Sequence, residues 1–465
     1  MMTSDRKGHK RGHTLHPDHS YLWNLISVIL QIDRLPHRLL RTKSTLWLLI
    51  RDLIWGLSSL LVGLLIGLLI GLLVGLQPTY AAPNPIRLTL WHGVNPPENR
   101  EVLQKLVDRF NVAHPEIQVE SLYVGQGDQQ IPKILAAVVG NAPPNLLWYA
   151  PTLTGQLIEL EAIEPLDNWW SDFSGGEAVD PALRSSMEWE DRLWSIPFST
   201  NNVGIFYRPS LFAAAGITEL PHTWGELRQV AQTLTNPAEG KYGMLLPLGK
   251  GEWTVFMWLP FLWSAGGEIG ADHLVSPAAT QALQFWKDLL DDRSAILSPP
   301  ERGYELEAFL SGKVAMQLTG PWTLRPLQQS GVDFSVMPIP SQRTPATSIG
   351  GENLFLFKTN PAEEQAALQF MEYVLSEDFQ TTWAIETGYL PVNLASRQSQ
   401  TYRNFVAQQS VIQVFLDQAK YGRSRPIFPG YSRLSDALGR AIESVLLDRA
   451  TPETALQKAE KRLEF

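Results

Sequence analysis

Leu53 to Leu76 is a run of 24 residues without a charge, built mostly from Leu, Ile, Val and Gly. A segment of that length and polarity matches the hydrocarbon core of a bilayer. It therefore divides the chain. Residues 1–45 carry eight Lys or Arg against three Asp, and this excess of positive charge holds that end in the cytoplasm and sends the remainder across the membrane. Downstream, Thr79-Tyr80-Ala81-Ala82 has small residues at the spacing of a signal-peptidase site, with cleavage expected after Ala81. The expectation is a basic prelude over residues 1–45 and a signal peptide or signal anchor over 46–81. The rest is periplasmic, held to the inner membrane by residues 53–76 if that segment is retained.

A chain of 465 residues is too long for one core, so the exported part is expected to form two domains. Beyond residue 81 there are 29 basic and 43 acidic residues, a net charge of −14. That balance argues against a nucleic-acid partner. The sequence has no Cys, which excludes disulfides, thiolate metal sites, a cysteine nucleophile and a lipoprotein anchor. His92, His114, His222 and His273 follow the apolar segment, too scattered to indicate a metal site. There is no Gly-x-Ser-x-Gly elbow, Walker loop, zincin helix or calcium loop. No cofactor, metal or catalytic residue is expected.

Local patterns give the architecture. Ile86–Trp91 alternates as a strand, and Asn95 stands as an N-cap before Pro96, Pro97 and Glu98. Leu103, Leu106, Val107 and Phe110 then share one helix face. A second strand spans Ile117–Val124. A second helix carries Ile131, Ile134, Leu135, Val138 and Val139, and Asn145–Ala150 is a third strand. Strand–helix–strand–helix–strand with short loops implies an open, mostly parallel sheet. Further helices start at the Thr223…Glu226 capping box, at Ser276-Pro277 and at Asn360-Pro361.

The stretch Phe309 to Trp322 carries the clearest functional signal. A helix end runs into Ser311-Gly312, where glycine takes the left-handed dihedrals that stop a helix. A short apolar strand follows from Val314 to Leu318. Gly320-Pro321 then turns the chain and leaves Trp322 past the strand's carboxyl end, the edge at which open α/β sheets bind ligands. An indole there offers a flat apolar face to the C–H face of a sugar ring.

This cadence resembles a signature of bacterial extracellular solute-binding proteins that serve carbohydrate ABC importers, of the maltose/glycerol-phosphate-binding type. Other pieces match in order, among them Leu88-Thr-Leu-Trp-His-Gly93, Ile196-Pro-Phe-Ser-Thr-Asn-Asn-Val-Gly-Ile-Phe-Tyr207, Pro221-His-Thr-Trp-Gly-Glu-Leu227, Gly350-Gly351 and Gly388-Tyr-Leu-Pro391. The resemblance implies an α/β fold of two lobes, the type II periplasmic-binding-protein fold, with a mostly parallel sheet in each lobe and a ligand cleft between them. It implies crossings near Phe198–Asn202 and Val332–Pro338. The first lobe would take residues 83–200 plus 335–385 and the second 201–334 plus 388–465.

Carried over residue by residue, the ligand-binding positions implied are Trp91, His92, Asn95, Tyr149, Asn201, Trp253, Phe256, Trp322, Gly350, Gly351, Tyr389 and Arg425. The implied partners are a carbohydrate or related small solute and the transmembrane subunits of an ABC permease, with the protein acting as a monomer. Two departures leave ligand identity open between an oligosaccharide, a glucosylglycerol-like osmolyte and a glycerol phosphate derivative. Ala150-Pro151-Thr152 lacks the acidic residue that relatives often carry, and Gly125-Gln-Gly-Asp128 lacks the aromatic of the glycerol-phosphate binders. A membrane-anchored sensor and a glycoside-active enzyme are the alternatives.

Overall fold

The computed structural model describes residues 40–75, 84–270, 274–299 and 304–463. The basic prelude up to residue 39 and the Thr79–Ala82 cleavage site lie outside the described residues. The chain divides into two units, residues 1–81 and 82–465. Within the first, Leu40–Gly75 is one helix of 36 residues. Its segment Leu46–Ile70 is long and apolar enough to cross a membrane. At 1.5 Å per residue those 25 residues reach about 37 Å, against a hydrocarbon thickness of about 30 Å.

The second unit is built on two five-stranded sheets. The first sheet lays Ile117–Tyr123, Ile86–His92, Leu146–Tyr149, Asn353–Leu356 and Ile196–Pro197 side by side in that order. Its first three strands are parallel and the last two run antiparallel to their neighbours. The second sheet has the order Ala295–Leu297, Tyr242–Leu246, Val314–Thr319, Gly204–Tyr207, Ser335–Met337. It repeats the division into a parallel part and an antiparallel part. The sheets are therefore mixed rather than mostly parallel. Strand–helix–strand units enter in parallel, because a crossover helix returns the chain to the same edge. Strands that arrive from the opposite lobe have no such helix, and they join antiparallel.

Each sheet has its own core. Leu88, Leu90, Leu103, Leu106, Phe110, Leu146 and Leu354 pack in the first, with Phe370, Phe379 and Trp383 from later helices. Trp224, Met244, Trp258, Phe261, Trp286 and Met316 pack in the second, closed by the C-terminal helices Tyr431–Leu446 and Pro452–Glu460. The helix Glu252–Ser264 is apolar all round because it is buried from Thr254 onward.

A three-stranded ribbon, Gly422–Ser424, Thr347–Gly350 and Asn201–Asn202, joins the two sheets. The first crossing runs from Ile196–Pro197 through Asn201–Asn202 to Gly204–Tyr207. The second does not fall at Val332–Pro338. Ser335–Met337 pairs with Gly204–Tyr207 in the second sheet, and the first sheet is rejoined only at Asn353. Val336 and Met337 are buried there, so the strand stays with its core although Pro338 reads as an exit. Residues 335–350 thus move from the first lobe to the second lobe and the ribbon. Tyr389 and Val392, assigned by sequence to the second lobe, pack in the first core.

Candidate functional site

The carboxyl edges of both sheets face a common cavity of about 250 Å³. From the first sheet come Gly93, Asn95 and Pro96 after Ile86–His92, Gln126, Gly127, Gln129 and Gln130 after Ile117–Tyr123, and Trp148, Tyr149 and Ala150 at the end of the third strand. From the second come Glu252, Trp253 and Phe256 in the first turns of one helix, Thr319 at a strand end, and Trp322 just beyond it. The crossing segments add Asn201, Gly350, Gly351 and Glu352, and the later chain adds Tyr389 and Arg425. A second chamber of about 440 Å³ adjoins it, sharing Tyr149, Glu252 and Trp253.

Local sequence explains how Trp322 is presented. The helix Glu307–Leu310 stops at Ser311, and Gly312 takes φ +67°. The strand Val314–Thr319 is buried throughout. A side chain at Gly320 would meet the Trp322 ring at 2.0 Å, so the glycine lets the indole fold back over the strand end. Trp322 is half-buried and touches both cores. It meets Trp253 edge-on at 5.9 Å between centroids and Tyr389 at 6.4 Å. The result is a wall of aromatic surface drawn from both sheets.

Polar atoms face the same space. Asn201 Oδ1, Gln130 Oε1, Arg425 Nε and Trp148 Nε1 are buried and make no hydrogen bond. Buried polar atoms almost always find a partner, so such a group beside an aromatic wall is suited to a ligand with hydroxyls. Gly350 approaches Asn201 so closely that a Cβ there would lie 2.4 Å from Asn201 Oδ1.

Charge in the cavity is organised by Glu252. Arg425 Nη1 donates to its carboxylate at 2.5 Å, and the Tyr431 hydroxyl donates at 3.1 Å. Ser435 also donates to it. The Arg425 guanidinium lies over the Phe256 ring at 4.5 Å. Burial is the largest influence on Arg425 and opposes its charge, but Glu252, Tyr431 and Glu352 together outweigh burial and the pKa is raised. Burial first, and then the Glu252 charge, push the Tyr431 hydroxyl well above its ordinary range.

Of the twelve positions expected from sequence, the structure brings ten to the cavity wall and leaves Trp91 and His92 off it. Both belong to the strand Ile86–His92 and pack on its two faces. Leu88, Leu90 and His92 are the buried face, while Trp91 packs on the opposite side beside Leu147 and Tyr149. His92 is 4% exposed and accepts from the Val94 amide at 3.3 Å through Nδ1. Burial, assisted by Arg100, lowers its pKa to about 4. Asn95 lines the cavity but does not cap the helix, which starts one residue later behind Pro96.

Sequence reasoning missed Gln130, Trp148, Glu252, Glu305 and Glu352. The Glu252-Trp253 pair at a helix start was the available signal, since an acidic residue in a first turn sits beside whatever that turn faces. Among the described residues, no group of three or more His, Cys, Asp or Glu is placed to hold a metal ion.

The model of the family described as bacterial extracellular solute-binding protein matches residues 105–407. The chain is 25% identical over 308 residues to a putative binding protein of Brucella abortus, covering 64% of this chain and 73% of that one. It is 21% identical over 388 residues to the maltotriose-binding protein of Pyrococcus abyssi, covering 81% and 82%. The cyclic alpha-maltosyl-1,6-maltose binding protein from Arthrobacter globiformis has a similar structure, with a TM-score of 0.69 and 26% identity. That match covers 82% of this chain and 98% of the other.

Proposed function

Because the chain belongs to the family of bacterial extracellular solute-binding proteins, we propose that it is the extracytoplasmic substrate-binding component of an ABC importer for a sugar or sugar-like solute. The observation that carries this is the inter-lobe cavity in which Trp322, Trp253 and Tyr389 stand beside bond-lacking polar atoms of Asn201 and Gln130. A sugar has apolar ring faces and a belt of hydroxyls. Flat aromatics serve the faces and fixed polar groups serve the belt. The relatives named for maltotriose and for cyclic maltosyl-maltose support the same ligand class. The lining contains carboxylates, but its role here is to hold a solute and hand it to permease subunits, without catalysis.

The apolar segment Leu46–Ile70 supports export, with the segment serving as signal peptide or tether. N-terminal sequencing of the native protein tells the two apart. A start near Ala82 or Pro83 marks cleavage, and a membrane-bound chain with an uncleaved segment marks a tether. A soluble cytoplasmic protein retaining Met1 contradicts export. A thermal-shift screen across sugars, polyols and phosphates tests the ligand class, since a ligand that binds only the folded state raises the melting temperature. A carbohydrate is expected to give the largest shift. The reading fails if no carbohydrate shifts the transition.

A further inference from the structure

The cavity carries an arrangement that the solute-binding reading does not need and that narrows it. Arg425 is the natural anchor for a phosphate, because a guanidinium matches phosphate oxygens bidentately. In this structure the guanidinium is already engaged. It donates to Glu252 at 2.5 Å and rests on the Phe256 ring at 4.5 Å. Its side chain is 7% exposed and that of Glu252 is 18% exposed, so the pair lies largely out of solvent. Tyr431 lies within hydrogen-bond reach of both oxygens of the carboxylate, and Ser435 donates to Oε2. Glu352 adds a second negative charge that acts on Arg425, and Glu305 lines the same wall. Among the described residues that line the cavity, three carboxylates stand against one guanidinium. Glu252 also borders the adjoining chamber, so its charge is felt in both spaces.

Resting on the sugar-binding reading above, we propose that Glu252 is a specificity determinant that neutralises Arg425 and restricts the cleft to uncharged glycans, excluding phosphate esters. An incoming phosphate would have to compete with a half-buried carboxylate for the same guanidinium, and would do so in a medium where like charges are poorly screened. A neutral sugar meets no such penalty. Its hydroxyls can accept a hydrogen bond from Arg425 Nε–H and donate to the Asn201 and Gln130 oxygens.

The test uses the full-length protein in detergent, with binding followed by tryptophan fluorescence, since Trp253 and Trp322 line the cavity. The probes are maltotriose and glycerol 3-phosphate. The wild type is expected to respond to maltotriose and not to glycerol 3-phosphate. E252Q keeps the side-chain shape, and Gln can still accept from Arg425. It is expected to bind glycerol 3-phosphate at least about tenfold more tightly than the wild type, the equivalent of removing one modest like-charge repulsion. The double variant E252Q/R425Q should lose that gain. E352Q, which leaves the bonds to Glu252 untouched, should shift glycerol 3-phosphate affinity in the same direction and serves if E252Q does not fold. Tight glycerol 3-phosphate binding by the wild type overturns the proposal. So does a folded E252Q or E352Q with no gain. A wild type that ignores maltotriose while E252Q still gains phosphate binding would remove the sugar reading and leave the charge gate standing.

Discussion

Trp322 is half-buried between two cores, with Trp253 and Tyr389 against its edges, and this position separates its binding role from a packing role. Trp322→Ala is expected to weaken ligand binding by about 1–3 kcal/mol, the range for an aromatic anchor in an interface. Its cost in stability should stay below the about 3–5 kcal/mol of a fully buried Trp→Ala change. Trp286, which is 0% exposed in the second core, provides the comparison. Trp286→Ala should show the larger loss of stability. Calorimetric titration and urea melts on the same samples check both. If Trp322→Ala destabilises as much as Trp286→Ala while binding is retained, the indole is core and not platform.

His92 offers a second single-residue test. Its folded-state pKa is lowered to about 4 by burial and by Arg100, against about 6.5 in an unfolded chain. Between those values the unfolded state binds more protons than the folded state, so stability falls as the pH drops through the window. A shift of that size corresponds to at most about 3 kcal/mol, fully lost once the pH is below about 4. Urea melts from pH 7 to pH 4 should show this slope in the wild type and a shallower one in His92→Gln. Equal slopes would place the acid sensitivity elsewhere.

At the scale of single elements, the crossing segments are where backbone geometry is tightest. Gly351 has φ +110°, and a Cβ there would lie 2.1 Å from the Ser199 carbonyl oxygen. Gly216 has φ +70° with nothing within 4 Å of such a Cβ. Gly216→Ala should therefore cost only the left-handed backbone penalty, about 1–2 kcal/mol. Gly351→Ala should exceed it clearly, because strain and collision with the Ser199–Thr200 backbone add. Denaturation midpoints of the two variants measure the difference. Equal losses would mean that the crossing can relax.

Elements of this kind also show what the sequence made legible. The Thr223 and Glu226 capping box forms with both reciprocal bonds, and Ser276 and Asn360 each accept from the amide three residues on. Gly312 adopts its left-handed turn. Each of these depends on residues within one turn of the chain, so local pattern suffices. The antiparallel half of each sheet was not legible. Asn353–Leu356 pairs with Leu146–Tyr149 across some two hundred residues, and Ile196–Pro197 is too short to show a period. The site divided along the same line. Trp322 was announced by the turn before it. Glu252 had only its place in a helix's first turn to mark it, because its importance comes from Arg425, Tyr431 and Ser435, which are distant in sequence.

At the scale of the whole binding unit, the cavity wall is contributed by two separately packed sheets joined by a narrow ribbon of three short strands. A ligand that touches Tyr149 and Gln130 on one side and Trp253 and Trp322 on the other makes all its contacts only when the sheets approach. It must therefore favour the closed arrangement by its differential affinity for that state. The two cores have no need to repack, since hinge motion is absorbed by a few residues at element ends. Asn201–Asn202 and Gly350–Gly351 stand in the connecting segments where such motion would fall. Small-angle scattering of the processed, membrane-released form should give a smaller radius of gyration at saturating ligand, using a carbohydrate first identified by thermal shift. Crosslinking adds a local reading. A cysteine pair placed in this cysteine-free chain at Gln126 and Leu306, which line opposite walls of the cavity, should bridge faster with ligand present. An unchanged radius together with an unchanged crosslinking rate would leave binding intact but show that the ribbon holds the lobes fixed, and transport would then need a signal other than closure.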